Sequence, residues 1–229
     1  MTWDWSFVRD ITPDLLDALK LTVIATVGAS VLSLALGMVW AIGRRSPLRV
    51  VGWSISSLTE FIRRTPLLVQ LYFIFFVLPN FGITLPPLAA GIIGLGLHYS
   101  TYTSEIYRSG IDSIAPGQWE AATVLDLPKR AVWTRVILPQ AIPRVIPALG
   151  NTVVAMFKET ALLSAITVQE VMSVARSIGT TTYVYTEPLF VAACMYLVLS
   201  YGASLLIRGL ERRFAHDRQL STKRRKIRA

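Results

Sequence analysis

Charge is scarce in this chain, and acidic charge scarcest. Of 229 residues only 16% are charged, with 14 Asp and Glu against 23 Lys and Arg. There is a single cysteine, Cys194, so no intramolecular disulfide can form and no thiolate cluster can be assembled. Lying within an apolar run, it reads as a small packing residue. Two histidines, His98 and His216, lie far apart in sequence and supply no metal-ligand spacing, so no metal is expected. No GxxxxGK[ST] stretch occurs anywhere, which removes the glycine-rich phosphate cradle that ATP hydrolysis needs. The N-terminal MTWDWSFVRDITPD is acidic and aromatic where a secretory signal would be basic. Trp3, Trp5 and Phe7 suit a membrane–water interface instead.

What the chain has is apolar length. Its composition is 53% hydrophobic, and its mean hydropathy is +0.51. Residues 21–42, 65–104 and 188–207 carry no Asp, Glu, Lys or Arg. A hydrocarbon core about 30 Å thick is crossed by roughly 20 helical residues. Nothing alternates as a barrel strand would, and a lone backbone cannot cross lipid unpaired, so the expected class is an all-α, polytopic membrane bundle. Five spans are expected: about Leu15 to Ile42, Pro66 to Leu78 after an amphipathic lead-in from Val50, Leu88 to Tyr107, Arg144 to Ile166, and Glu187 to Ile207. Pro66 should bend the second, and Pro79-Asn80-Phe81-Gly82 with Pro86-Pro87 should turn the chain after it.

The net charge of +9 would suit nucleic acid if it were gathered on one face, but it flanks the apolar runs. Placing the N-terminus outside puts Arg44, Arg45, Arg49, Arg63, Arg64, Arg108, Lys129, Arg130, Arg135, Arg144 and the Lys223–Arg228 cluster on the cytoplasmic side. The tail reads as a topological anchor for anionic lipid, and no nucleic-acid partner is expected. The resulting division is an extracytoplasmic segment 1–14, a membrane domain 15–212 with a cytoplasmic loop at about 112–139, and a basic tail 213–229.

That loop is the anomaly. Pro116 to Pro139, PGQWEAATVLDLPKRAVWTRVILP, is polar and helix-forming inside an apolar protein. Pro116 suits a helix's first turn, and Gln118 to Leu125 continue it for two or three turns, too short to stand alone in water. Such a helix must dock, either on its own bundle or on a partner. Ala121 and Ala122 offer a low-relief face, and Glu120 places a carboxylate towards the positive helix end. A second helical piece, Lys129 to Leu138, is expected to stop at Pro139.

Glu120, Ala121, Ala122, Val136, Leu138 and Pro139 fall in the register Glu-Ala-Ala, three residues, Gly, nine residues, aliphatic, any residue, Leu-Pro. This resembles the EAA loop of permeases in binding-protein-dependent ABC importers. Asp126 stands at the glycine position; Asp also visits left-handed geometry and could cap the helix that follows. Glu60-Phe61-Ile62-Arg63-Arg64-Thr65-Pro66-Leu67-Leu68-Val69-Gln70 and Lys158-Glu159-Thr160-Ala161-Leu162 are similar to segments of the polar-amino-acid-uptake branch, with Arg64 where glycine is usual. Pro139-Gln140-Ala141-Ile142 and Pro147-Ala148-Leu149-Gly150-Asn151 fit as well, so the resemblance runs from about Leu16 to Arg212. Tyr183-Val184-Tyr185-Thr186-Glu187-Pro188, with the aromatic N-terminus, is similar to the ectoine and hydroxyectoine permeases of that group.

The resemblance implies a type I importer permease fold in the bacterial cytoplasmic (inner) membrane. It implies two cytoplasmic ABC ATPase subunits, a second permease subunit, identical or paralogous, and an extracytoplasmic solute-binding protein. The chain would bind no cofactor, ATP being used by the partner ATPase. Gly117, Glu120, Ala121, Ala122, Leu125, Asp126, Leu138 and Pro139 become the coupling residues. Ionisable or amide groups at membrane depth default to function, so Gln70, Glu105, Asn151, Lys158 and Glu159 are pathway candidates. Structural alternatives stay open: Gln70 and Asn151 as interhelical glue, and Lys158 paired with Glu105. Glu60, Arg63 and Arg64 are gate or interface candidates. Gly91, Gly94 and Gly96 read as close-packing positions. A self-contained ion-coupled secondary transporter relaying ions through Lys158, Glu159 and Glu105 is the competing reading, though no inverted repeat supports it.

Overall fold

The computed structural model describes residues 3–227, with side chains described for residues 3–209. The chain is a helical bundle, and no strand occurs among the described residues. In chain order it comprises α1 (Trp5–Gly43), α2 (Arg49–Arg64), α3 (Leu67–Tyr72) continued by a π turn Phe73–Val77 and a 3-10 turn Leu78–Phe81, and α4 (Pro87–Asp112). The short α5 (Pro116–Val124) and α6 (Lys129–Ala131) follow, then a π segment Val132–Ile137, α7 (Leu138–Glu159), a 3-10 stretch Thr160–Ile166, α8 (Val171–Thr182) and α9 (Thr186–Ile227). The basic cluster Lys223–Arg228 has its side chains outside the described residues.

Polarity is distributed opposite to that of a water-soluble bundle. Ile24, Val27, Val31 and Val39 of α1 and Leu197, Val198 and Leu206 of α9 are exposed, whereas Thr22, Thr26, Ser33, Ser100, Thr101 and Thr103 are buried. Apolar surface outside and small polar residues between helices is the arrangement a bilayer favours, since helices there gain contact through close approach and interhelical hydrogen bonds. The α1–α4 seam shows how. The buried stripe of α1 includes Ala18, Ala25, Ala29, Ser33, Gly37 and Ala41. At Gly37 an added Cβ would sit 1.9 Å from Thr103 Oγ1, so only glycine allows this approach. Thr103 Oγ1 donates to the Ser33 carbonyl at 2.9 Å, and Trp40 Nε1 donates to Ser100 Oγ at 2.9 Å. The three glycines of α4 act likewise: a Cβ would meet Leu163 at Gly91 (2.9 Å), Leu71 at Gly94 (2.5 Å) and Leu32 at Gly96 (2.7 Å).

α1 starts ten residues before the expected span, so residues 5–14 are helical and continuous with it. Asp4 caps it, accepting from Ser6 N at 2.8 Å and Phe7 N at 3.3 Å. Hydrogen bonding from Ser6, and next from the Phe7 and Ser6 amides, holds the Asp4 carboxyl below its ordinary range. At 39 residues and about 1.5 Å per residue, α1 is longer than the hydrocarbon core requires.

The bend at Pro66 is sharp: α2 and the Leu67–Phe81 segment meet at 102°. Thr65 and Pro66 are extended, as the residue before proline and proline itself prefer. α2 exposes Val50, Trp53 and Phe61 and lies across the direction of α3 as an interfacial helix would. By length and composition α1 and Thr186–Gly209 can each cross a membrane, and four crossings result if each bent pair counts as one. α4 adds a 26-residue helix in which His98, Ser100, Thr101, Thr103 and Ser104 are buried.

Leu138-Pro139 does not end the second loop helix. The chain runs helically from Lys129 to Glu159 through the π segment, where Leu138 N bonds the carbonyl of Trp133. Proline lacks the N–H that would bond four residues back and its ring crowds that carbonyl; a turn wound to i→i+5 gives room. The same device precedes Leu78-Pro79, where Leu78 N bonds Phe73 O across the other π turn. Cys194 is exposed on this chain and does not occupy the packing position expected of it.

Candidate functional site

The polar loop folds as a helical hairpin at one end of the bundle. α5 begins with Pro116 in its first turn and ends at Val124. Its closure is a Schellman motif: Leu127 N bonds Ala122 O at 3.1 Å and Asp126 N bonds Thr123 O at 3.0 Å. Asp126 occupies the left-handed position of that motif, with φ +46°. This is why glycine belongs there, and Asp supplies the same geometry. It does not cap the following helix, whose first residue is preceded by Pro128 with no side-chain capping bond. Replacing Asp126 by Val, β-branched and averse to this region, should destabilise the protein by about 1–2 kcal/mol. Asp126→Gly should cost nothing or add up to about 1 kcal/mol. Melting curves of the two variants in detergent check both signs.

Trp119 stacks edge-on against Trp133, with centroids 5.5 Å apart, over a core of Ile114, Ile137 and Ala141. Ala122 is buried, so it is not part of an outward face. The 100° helical step separates it from Ala121, which is exposed. Gly117, Glu120, Ala121 and Val124 form the outward stripe at spacings of three and four, and Leu125 and Asp126 extend it at the tip. Val124 is 85% exposed and Leu125 70%, high values for apolar side chains on a polar hairpin. Val124 was not singled out from sequence, although its i, i+4 relation to Glu120 carried the signal. Leu138 is half-buried and Pro139 exposed at the hairpin's return.

Beside the hairpin a cluster of ion pairs joins three helices. Glu105 of α4 binds Arg44 at the end of α1, with Arg63 of α2 at 3.6 Å and Arg108 at 3.5 Å. Glu60 binds Arg63 and Arg64 within α2, and Arg45 reaches Asp112. Glu105 is therefore taken up by arginines at the hairpin end and does not pair with Lys158. Arg144 of α7 donates to the Ser113 carbonyl and to Ser113 Oγ, tying the hairpin's root to the bundle.

Deeper in the bundle, Gln70 Nε2 lies 2.7 Å from Ile62 O, 2.9 Å from Thr65 O and 3.0 Å from His98 Nδ1. Gln70 thus holds the 102° bend and links it to α4, so the bracing reading of Gln70 is the one with contacts. Its Oε1 is buried without a hydrogen-bond partner among the described residues, and so is Glu159 Oε2. Tyr99 lies beside Glu159 and, through His98, within an aromatic group that includes Tyr102. Lys158 points away from Glu159 and is exposed, as adjacent residues on a helix must diverge. Arg144, Ala148, Asn151 and Lys158 are all exposed on α7 at spacings of four, three and seven. They make one stripe that the described residues leave uncovered.

Glu170 escaped the sequence reading. It is fully buried, caps α8 by accepting from Ser173 N at 2.8 Å, and takes the Tyr196 hydroxyl. An acid directly before an apolar helical run was the available sign.

A multi-helix membrane bundle with a hairpin projecting at one end is the type I importer permease fold. Residues 33–216 match the family described as binding-protein-dependent transport system inner membrane component, and the chain belongs to that family. It is 45% identical to the probable amino-acid ABC transporter permease protein y4tG of Sinorhizobium fredii, over 90% of this chain and 92% of that one. It is 33% identical to the arginine transport system permease protein ArtQ of Bacillus subtilis, over 93% and 98%. Among solved structures it resembles an amino acid ABC transporter crystallised with histidines, with TM-score 0.87 and 37% identity over 93% of this chain and 100% of that one. The methionine transporter MetNI in an inward-facing form shares the fold at TM-score 0.64 and 16% identity, over 90% and 99%. The chain is a membrane permease subunit of an ABC importer. Its partners are of the kinds such importers use, an ATPase and a solute-binding protein.

Proposed function

We propose that this chain forms one half of the pathway of an importer for polar amino acids or a related zwitterion, ectoine and hydroxyectoine included, in the bacterial inner membrane. The observation that carries the reading is the hairpin: a polar structure with an outward stripe of Gly117, Glu120, Ala121, Val124, Leu125 and Asp126 that nothing among the described residues covers. Two ATPase subunits seat this stripe and its counterpart on a second permease subunit. ATP hydrolysis belongs to those subunits, and this chain carries no cofactor. With the N-terminus outside and five spans, the hairpin faces the cytoplasm, where the ATP is. The arginine cluster around Glu105 makes the end of α1, α2 and α4 one block, so hairpin movement is transmitted to the helices rather than absorbed in loops. The exposed α7 stripe, Arg144 to Lys158, faces the pathway and the second permease. Glu159 Oε2, an acceptor without a partner among the described residues, suits the ammonium end of a zwitterion.

Reconstitution tests the proposal. Liposomes holding the permease, its ATPase and ATP should accumulate labelled solute only when the binding protein is supplied outside, and ionophores should not abolish uptake. Gradient-driven uptake by this chain alone would overturn the reading in favour of a secondary transporter.

A further inference from the structure

At the end of the bundle opposite the hairpin, the N-terminal segment and the α8–α9 turn enclose a pocket of about 550 Å³. Trp3, Asp4, Phe7, Val184, Tyr185 and Glu187 supply its walls, and among the described residues no lysine or arginine lines it. Glu187 is 95% buried, being 5% exposed. Its Oε1 accepts only a long bond, 3.4 Å from Asp4 N, and its Oε2 has no hydrogen-bond partner among the described residues. A buried carboxylate oxygen without a donor is costly and calls for one. The Asp4 carboxylate is already committed to capping α1, so Glu187 is the acceptor left open.

The aromatic walls are held in place. Trp3 meets Phe190 edge-on at 5.1 Å and Trp5 at 5.5 Å. The Tyr185 ring lies on Gly179, where an added Cβ would come within 2.4 Å of it, and its hydroxyl is 3.2 Å from Thr180 Oγ1. Tyr183, with φ +58°, makes the tight turn that presents Tyr185. Aromatic faces around one unpaired carboxylate are the chemistry that recognises an alkylated ammonium, by cation–π attraction together with direct charge pairing.

We propose that this pocket is an organic-ammonium site, with Glu187 the charge partner and Trp3, Phe7 and Tyr185 the aromatic walls. The ammonium arrives either on a free quaternary solute or on the lysine of a docking protein. The site goes beyond the transport reading and does not depend on it, since occupancy is measured without transport.

The full chain in detergent is titrated calorimetrically with tetramethylammonium, n-butylammonium and sodium chlorides at equal ionic strength. Saturable binding of an organic cation with no such response to sodium is expected. Glu187→Gln should weaken it by at least about tenfold, and Trp3→Leu by about threefold to tenfold. Tighter tetramethylammonium binding identifies a free quaternary solute, and tighter n-butylammonium binding a lysine side chain. Equal responses to all three salts, or unchanged organic-cation binding in Glu187→Gln, would overturn the proposal. Should Glu187→Gln not fold, unchanged binding in Trp3→Leu overturns it equally.

Discussion

Glu120→Lys is expected to lower ATP-driven uptake by at least about tenfold, equivalent to about 1.4 kcal/mol at the contact, and to weaken co-purification of the ATPase. Glu120 is exposed, and no ion pair or side-chain hydrogen bond engages it among the described residues, so charge reversal leaves the chain's own fold intact. Its neighbours on the stripe are the low-relief Gly117 and Ala121 and the apolar Val124 and Leu125. A small apolar ridge with one carboxylate is suited to a cleft that desolvates it, where an ion pair is worth more than at an open surface and losing one partner costs about 2–5 kcal/mol. Glu120→Gln should fall between wild type and Lys. Measured together, ATPase pull-down, uptake and the permease's melting curve separate the effects: the first two fall and the third stays. If pull-down and uptake both survived in Glu120→Lys, the hairpin would not be the coupling surface. Leu125→Asp provides the apolar control and should have a comparable effect on pull-down.

Rules confined to one or two turns of chain were legible in the sequence. Pro116 opening a helix, Asp126 taking left-handed geometry, Pro66 bending the chain and the α4 glycines admitting large neighbours all follow from backbone sterics at the residue itself. Spatial features were not. Pro139 marks a helix end by local rules, yet a π turn carries the helix through it, because Ile137 and Ala141 are buried on either side of the proline and hold the segment on one axis. Ala122 reads as docking surface because alanine suits either side of a helix, and only the folded hairpin shows that it is buried. Glu105 was set at membrane depth because it falls inside the expected span Leu88 to Tyr107. Arg44, 61 residues away, and Arg63 reach it only after α1 and α2 have folded back on α4. Hydropathy placed the start of α1 at its apolar portion and was blind to the Asp4 cap, which extends the helix through polar residues.

Gln70→Leu is expected to lower the melting temperature by several degrees and to abolish uptake, whether or not solute is present. The side chain's reach explains the size of the effect. Gln70 Nε2 lies within hydrogen-bond distance of Thr65 O and Ile62 O where α2 stops, the latter also taking Thr65 N at 3.3 Å, and of His98 Nδ1 on α4. Leucine has nearly the same volume and offers no donor, so Thr65 O loses the Gln70 bond while still packed and Ile62 O keeps only the 3.3 Å bond from Thr65 N. Each orphaned buried acceptor costs roughly 1–3 kcal/mol. No other residue can substitute, because the amide of position 66 is proline and has no N–H to give. A solute-contact role for Gln70 predicts something different: a higher KM, a normal melting temperature, and a variant that solute still stabilises. Gln70→Asn, one methylene shorter, adds a second discriminator, since it keeps the amide chemistry but cannot span from α3 to both α2 and α4. The brace requires Gln70→Asn to melt early as well, and a solute contact would let it melt normally. Arg63 and Arg64 sit at the end of α2 that this brace holds, and Arg63 joins Glu105 to that helix. Loss of Gln70 should therefore also loosen the hairpin end of the bundle, detectable as faster amide exchange in residues 60–66 and 105–112 than in α9.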